Sequence, residues 1–420
     1  MRRRGRLPDA RLYPVLNLPK DMDFECTQCG RCCRDPWEIR VDAASAEKLL
    51  ARPWPGLPVE VPFKRRLEVV DDLGYTVERK PCGSCVFLEE GNLCRIHREI
   101  GLVEKPRVCQ QFPFLFAQHP GGVTVGLSHY CPGVRRVEGA TAPPLEAKRG
   151  ELERLLTNAL RLVKVGDTVL LDDGIPLPWA DYELLEGFLL ELLAAPGVDV
   201  REAITALSIA SLMLGDLLRT KPGATAEFVA GWRRMGIGRI LAMGAKQRAK
   251  PRTGRLLLRQ FLSLVDATAS GSRLGAFGGA WAFAKELLGV GSVKCVPLEA
   301  RVSVLGVRAV ELPWEEAEPL RRYAEHAIFR RRLLPVLGVR VGLALLALHV
   351  GAMRYVARAS ALVAGRTRAT GEDLARGVQL VEKFYAAHSS LPVAFESGAA
   401  RKVFRRVADR PRYLWAVLGG

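Results

Sequence analysis

Cys26-Thr27-Gln28-Cys29-Gly30-Arg31-Cys32-Cys33 places four thiols within eight residues, and Cys82, Cys85, Cys94, Cys109 and Cys131 answer it downstream. Nine of the ten cysteines fall in the first third of the 420-residue chain, whereas cysteines serving only as small core residues would be scattered along it. Two residues between thiols span the sulfur–sulfur distance around a shared metal, so such clips suit a four-sulfur zinc shell and an iron–sulfur cluster alike. A glycine between thiols lets the backbone turn tightly enough for its N–H groups to face bound sulfur. The adjacent pair Cys32-Cys33 reads differently. Neighbouring side chains diverge, so one of the two serves another site, faces a partner cysteine or is simply buried. All nine thiols are candidate metal ligands, enough for two four-ligand sites or for one cluster with spare thiols. Ligands drawn from both 26–33 and 82–109 would staple the chain across the intervening loop and add folding energy.

Outward from this stretch, residues 1–25 read as a basic, proline-punctuated arm, and residues 26–138 as the cysteine-rich module. Glu38 to Val41 alternates like a strand, Asp42 is placed to cap a helix over 43–50, and β-like pieces recur at 59–61, 67–70 and 75–77. Val123 to Leu127 predicts a strand that delivers Cys131. The Gly139 to Pro144 segment is the best boundary. Beyond it the period becomes helical: Leu145 to Val165, then about 180–194, 201–219, 224–245, 252–267, 274–288, 314–332, 339–365, 371–387 and 397–408, interrupted by a hairpin turning at Asp172-Asp173-Gly174 and a strand at 301–311. The expected class is α+β: a small metal-binding module followed by a mostly α-helical domain over 145–420.

Apolar residues at 49% and charged residues at 25% describe a globular chain, and its length favours two domains. Of the net charge of +17, the 24 basic and 19 acidic residues of 1–150 account for +5, leaving +12 for 151–420. The basic excess thus sits outside the cysteine region, and no nucleic-acid-binding motif accompanies it. The opening Met1-Arg2-Arg3-Arg4 lacks a following apolar run, so no export signal is read and the expected compartment is the cytoplasm, where dense cysteine means metal or redox chemistry rather than disulfides. The apolar window Leu333 to Met353 carries Pro335, Arg340 and His349, which argues for a buried core helix over a membrane span.

The pattern Cys26-x-x-Cys29-Gly30-x-Cys32-Cys33, Pro81-Cys82…Cys85-x-Phe87-Leu88, Cys94-x-Ile96 and Lys105-Pro106-x-x-Cys109-x-x-Phe112-Pro113 resembles the cysteine-cluster (YkgJ-like, CxxCxxCC) family of zinc- or iron-chelating proteins, over about residues 24–135. His97 stands where that family has an aromatic, and Lys105 replaces its arginine, which keeps the charge and loses the bidentate fork. The longer layout, with Leu320-Arg321-Arg322-Tyr323, His326-Ala327-Ile328-Phe329 and Leu333-Leu334-Pro335 in a helical domain, is similar to flagellin lysine N-methylases. That likeness implies an iron–sulfur cluster, of the 4Fe–4S type, and lysine methylation from S-adenosylmethionine on a protein substrate.

Among smaller signals, Gly289-Val290-Gly291 reads as a turn, Cys295 as a buried inert thiol and His349 as a core histidine. His119 and His129 read as surface or supporting residues, and Arg321, Arg322 and Arg330 to Arg332 as a solvated face or an anionic groove. No Ser-His-Asp arrangement, P-loop or His-Glu-x-x-His occurs. Phe24, Trp37, Phe87, Phe112 and Phe114 are placed to shield a cluster, which favours iron. Two functions follow: an iron–sulfur enzyme with a cofactor cleft in its helical domain, or a metal-binding protein whose zinc or cluster serves structure, partner recruitment or sensing.

Overall fold

The computed structural model describes residues 15–35, 37–70, 73–157, 159–160, 162–247, 251–270, 273–313, 317–388, 404–405 and 407–419. It divides into two compact units, Met1–Val163 and Lys164–Gly420. The division lies downstream of the Gly139 to Pro144 segment singled out in the sequence.

The first unit is built from short strands. Gly122–Leu127 pairs antiparallel with Phe114–His119 and parallel with Leu16–Asn17, and Leu162–Lys164 completes this sheet beside Phe114–His119. Met22–Phe24 pairs antiparallel with Val134–Arg136. Residues 16–24 are therefore laid into sheets, where the sequence suggested an arm; the alternation of Leu16, Leu18 and Met22 into the core supplies the reason. A second sheet orders Arg40–Val41, Leu73–Val77 and Phe63–Val70. The helix Ala43–Leu50 starts as expected, with the Asp42 carboxylate accepting from the Ser45 N–H at 2.9 Å.

Local pattern and structure part at several places. The helix expected over Leu145 to Val165 stops at Thr157, because Leu162–Lys164 completes a sheet edge. Residues 59 and 60 form bends and residue 61 takes no regular structure, so no strand forms at 59–61. The helix expected over 224–245 breaks at Gly236 (φ 86°) into Thr225–Met235 and Ile237–Ala245. The strand expected at 301–311 is Ala300–Ser303, after which Ser303 caps the helix Val304–Ala309 by accepting from the Gly306 N–H at 3.1 Å. The stretch 397–408 lies mostly outside the described residues.

The second unit packs helices around Val339–Val363, 25 residues whose side chains are almost all buried. That helix and Val200–Thr220 are long and apolar enough to cross a membrane by length and composition, and both are largely enclosed within the unit. Arg340, in the first turn of the long helix, pairs with Asp172 and Asp409. The hairpin Thr168–Asp172 with Ile175–Pro178 turns at Asp173-Gly174, where Gly174 takes φ 75°. Arg330 pairs with Glu382, both buried, and Arg331 bonds Glu186 through Nε at 2.8 Å and Nη2 at 2.6 Å. Arg321 bonds Glu318 and Glu325, and Arg322 bonds Glu318 at 2.8 Å. Arg321, Arg330 and Arg331 are thus held in buried or half-buried ion pairs, while Arg322 pairs with Glu318 at a partly exposed position. His349 and Cys295 are buried, and burial holds the histidine neutral, with its pKa down to about 4.

Candidate metal centre

The first thiol loop leaves the strand Met22–Phe24 in extended backbone, turns through left-handed Gln28 (φ 53°) and Gly30 (φ 67°), and winds into a single helical turn, Arg31–Arg34. Gly30 is needed twice. Its φ is costly for other residues, and a Cβ there would meet Arg34 Nη1 at 2.9 Å and Asn92 Cβ at 3.1 Å. Arg34 Nη1 donates to the Cys29 carbonyl at 2.8 Å and its other terminal nitrogen reaches Asn92, tying this loop to the turn before Cys94. The Cys32 carbonyl accepts from Trp37 Nε1 at 2.8 Å.

The second group is fastened to the first through the backbone: the Cys85 N–H donates to the Cys33 carbonyl at 2.7 Å. Cys94 stands at the start of the helix Arg95–Ile100, and Cys109 lies in the short helix Arg107–Gln111, which Arg107 anchors to Asp42 Oδ2 at 3.2 Å. Cys131 arrives after the strand Gly122–Leu127. Its loop meets the first across the Glu25 N–H to Gly133 carbonyl bond of 3.1 Å, an approach so close that a Cβ at Gly133 would collide with the Glu25 carbonyl.

These elements enclose a cavity of about 310 Å³. Seven of the nine candidate thiols line it: Cys26, Cys29, Cys32, Cys33, Cys94, Cys109 and Cys131. Cys85 sits just behind the wall, buried, and acts electrostatically on Cys33 and Cys109. Cys82 does not join them. It is exposed on a turn made by Gly83 (φ 83°), with its sulfur 3.1 Å from Ser84 Oγ. Among the described residues, no three His, Cys, Asp or Glu side chains converge to the spacing of a single bound ion; the thiols ring a space instead.

Burial pushes the Cys109 thiol well up, and Cys85 and Cys131 each up to about 11. Cys32 moves the other way, down to about 7, because the Cys33 thiol, 3.9 Å away, hydrogen-bonds to it; the same contact, with burial, pushes Cys33 up. Lys105 lies among these sulfurs. Burial opposes its charge, but Cys94, Cys109, Cys32 and Cys33 outweigh that effect and raise its pKa, so the ammonium persists in the cavity wall.

Phe24, Phe112, Phe114 and Tyr130 provide the aromatic part of the lining. Trp37 backs them, edge-on to Phe112 at 5.5 Å and to Tyr130 at 5.6 Å. Phe87, expected among the shielding aromatics, does not line the cavity but lies in the core with Trp54 and Phe63 against which Trp37, Cys33, Cys94 and Cys109 pack. Tyr130 was missed in the sequence, and its position one residue before Cys131 was the available signal. His97 also reaches the lining, at the position where the cysteine-cluster family it resembles carries an aromatic. His119 is buried away from it against Thr124 Oγ1 at 3.0 Å, and His129 is not in the wall.

Residues 25–132 match the family model of the CxxCxxCC domain, described as a "Putative zinc- or iron-chelating domain". An uncharacterized protein of Methanocaldococcus jannaschii is 30% identical over 148 residues, which cover 34% of this chain and 45% of the relative. The chain thus spans about half the length of the curated relative it matches. No solved structure matches.

Proposed function

We propose that the zinc- or iron-chelating module of residues 25–132 holds an iron–sulfur cluster, of the [4Fe–4S] type, and that the protein works as a metal- and redox-dependent binding protein of the cytoplasm. The observation that carries this reading is the cavity of about 310 Å³ ringed by seven thiols. A single zinc at roughly 2.3 Å from each sulfur draws four thiols to a point, and leaves no room between them. A space near the ~300 Å³ floor of small-ligand pockets suits thiolates spread around an inorganic core. When bound, such a cluster supplies one-electron chemistry whose potential follows its charge, its hydrogen bonds and its exposure.

The chain's own groups fit that use. Cys32, Cys33, Cys94 and Cys109 all act on Lys105, and buried Cys85 acts on Cys33 and Cys109, while Cys131 is influenced by Cys32, Cys29 and the exposed Cys26. The Lys105 ammonium offsets negative charge gathered by thiolates. The aromatic lining excludes water from the inner side. An exposed first thiol gives incoming metal a place to begin.

The lysine methylation suggested by the sequence resemblance rests on that likeness alone; the family description speaks of chelation and the archaeal relative is uncharacterized, so the proposal stops at the metal. The test is anaerobic purification followed by absorption spectroscopy and iron, sulfide and zinc analysis. Broad violet absorption with stoichiometric iron and sulfide supports it. A colourless protein with one zinc per four thiols overturns it.

A further inference from the structure

A small cavity in the helical unit, about 30 Å³, has an unusual wall: four guanidiniums, from Arg255, Arg259, Arg308 and Arg358, against one carboxylate, Glu286. They come from four separate helices. Arg255 and Arg259 lie one turn apart on Pro251–Ser270, Arg308 is on Val304–Ala309, Arg358 on Val339–Val363, and Glu286 on Arg273–Leu288. The carboxylate is spread thin. Glu286 accepts from Arg308 Nη2 at 2.8 Å, and its oxygens lie 3.7 Å from Arg255 Nε and 3.9 Å from Arg259 Nη2, too far for strong hydrogen bonds. Asp266, outside the wall, is bonded to Tyr385 Oη at 3.0 Å.

Arg259 is only 5% exposed, yet its Nε has no hydrogen-bond partner, and the buried Nε atoms of Arg255 and Arg308 have none either. Buried donors of this kind are costly when unmatched. Buried Arg330 and Arg340 each meet a carboxylate within ion-pair distance, Glu382 and Asp172, whereas Arg259 comes no nearer than 3.9 Å to Glu286. The sequence also makes room for this crowding. Gly289, the first residue of the Gly289-Val290-Gly291 turn, takes φ 72°, and a Cβ there would sit 3.0 Å from Arg308 Nη1.

We propose that this cavity is a binding site for a small oxyanion, phosphate or a phosphoryl group, held by Arg255, Arg259 and Arg308 with Arg358 completing the wall. Guanidinium forks match the oxygens of phosphate with paired, charge-assisted hydrogen bonds. The volume, on the scale of one or two waters, admits a single small group and excludes a nucleotide base. Burial, and then the neighbouring guanidinium of Arg308, lower the pKa of Arg255, and burial followed by Arg255 does the same to Arg358; a bound anion relieves that repulsion.

The full-length protein is titrated calorimetrically with inorganic phosphate and, in parallel, with glycerol 3-phosphate, against chloride at equal ionic strength. Saturable binding of phosphate alone identifies an enclosed oxyanion, and binding of both identifies a phosphoryl group presented from outside. Arg255→Gln weakens the interaction about tenfold, as expected for one charge-assisted bond. Glu286→Gln, which removes the competing carboxylate, strengthens it several-fold, an opposite sign that a merely structural role would not produce. Absence of saturable binding, equal binding of chloride, or weakening by Glu286→Gln in a protein whose circular dichroism is unchanged overturns the site.

Discussion

Replacing Cys109 by serine and, separately, Cys82 by serine tests which thiols matter, because the two occupy equivalent places in the sequence motif and opposite ones in the fold. Cys109 lines the cavity and Cys82 faces solvent. If Cys32 and Cys109 bind one inorganic core, they close a loop of about 77 residues, and the loop-closure entropy removed from the unfolded chain is worth ~4.5 kcal/mol at 25 °C. For a unit of this size each kcal/mol moves the melting temperature by ~2–4 °C, so metal raises Tm by roughly 9–18 °C. The readout is the difference in Tm between metal-loaded and metal-free protein, measured by calorimetry for each variant beside its metal content. Taking the difference cancels the cost of a buried hydroxyl in the Cys109→Ser core. Cys109→Ser loses most of the increment and the metal, whereas Cys82→Ser keeps both, within the ~0.5 kcal/mol typical of surface changes. An increment abolished by Cys82→Ser and retained by Cys109→Ser would refute the reasoning.

Other outcomes follow from the same structure. Because Cys85 and Cys131 hold their protons up to about pH 11 and Cys109 is pushed higher still, metal must displace those protons; competition with a chelator will show affinity rising from pH 6 to pH 9, and a falling affinity contradicts this. Asp42→Ala removes the cap on Ser45 and the anchor of the Arg107 helix, costing about 1–2 kcal/mol at pH 7 by urea unfolding. Burial raises the Asp42 pKa, but the Ser45 hydrogen bonds and Arg107 outweigh it and leave the value lowered. Asp42 therefore stabilises above its unfolded pKa near 3.9, the benefit is lost as pH falls through the lower folded value, and the cost of the substitution shrinks accordingly. Arg330→Met, which strands buried Glu382, destabilises the helical unit by about 3–5 kcal/mol; adding Glu382→Leu recovers most of that, and a double variant as unstable as the single one shows that the pair has another role.

Much of the site was legible because cysteine crowding is a composition signal that needs no tertiary knowledge. The Asp42 cap, the turn at Asp172-Asp173-Gly174 and the long helix near 339–365 were legible for a related reason, since each is fixed by residues close in sequence. Side-chain direction was not. Cys82 and Cys85 share one clip, yet the turn at Gly83 sends the first thiol outward and leaves the second in the core. The partners of Arg330 and Arg331, Glu382 and Glu186, stand 52 and 145 residues away, so no local pattern separates an internal pair from a basic surface. The helix expected through Val165 failed similarly: its period favours a helix, but sheet pairing claims Leu162–Lys164. The arginine-lined cavity has no signature in the sequence because its four arginines and Glu286 come from four separate helices, and only Arg255 and Arg259 share one.

X-ray absorption at the metal edge of the anaerobically purified protein tests most directly whether thiols from residues 26–33 and 94–131 surround one shared inorganic core. A sulfur shell accompanied by strong iron–iron scattering, lost in Cys29→Ser and in Cys109→Ser alike, is the expected spectrum. A lone zinc with four sulfurs and no metal–metal scattering, or a cluster signal that persists unchanged when either thiol is removed, contradicts it.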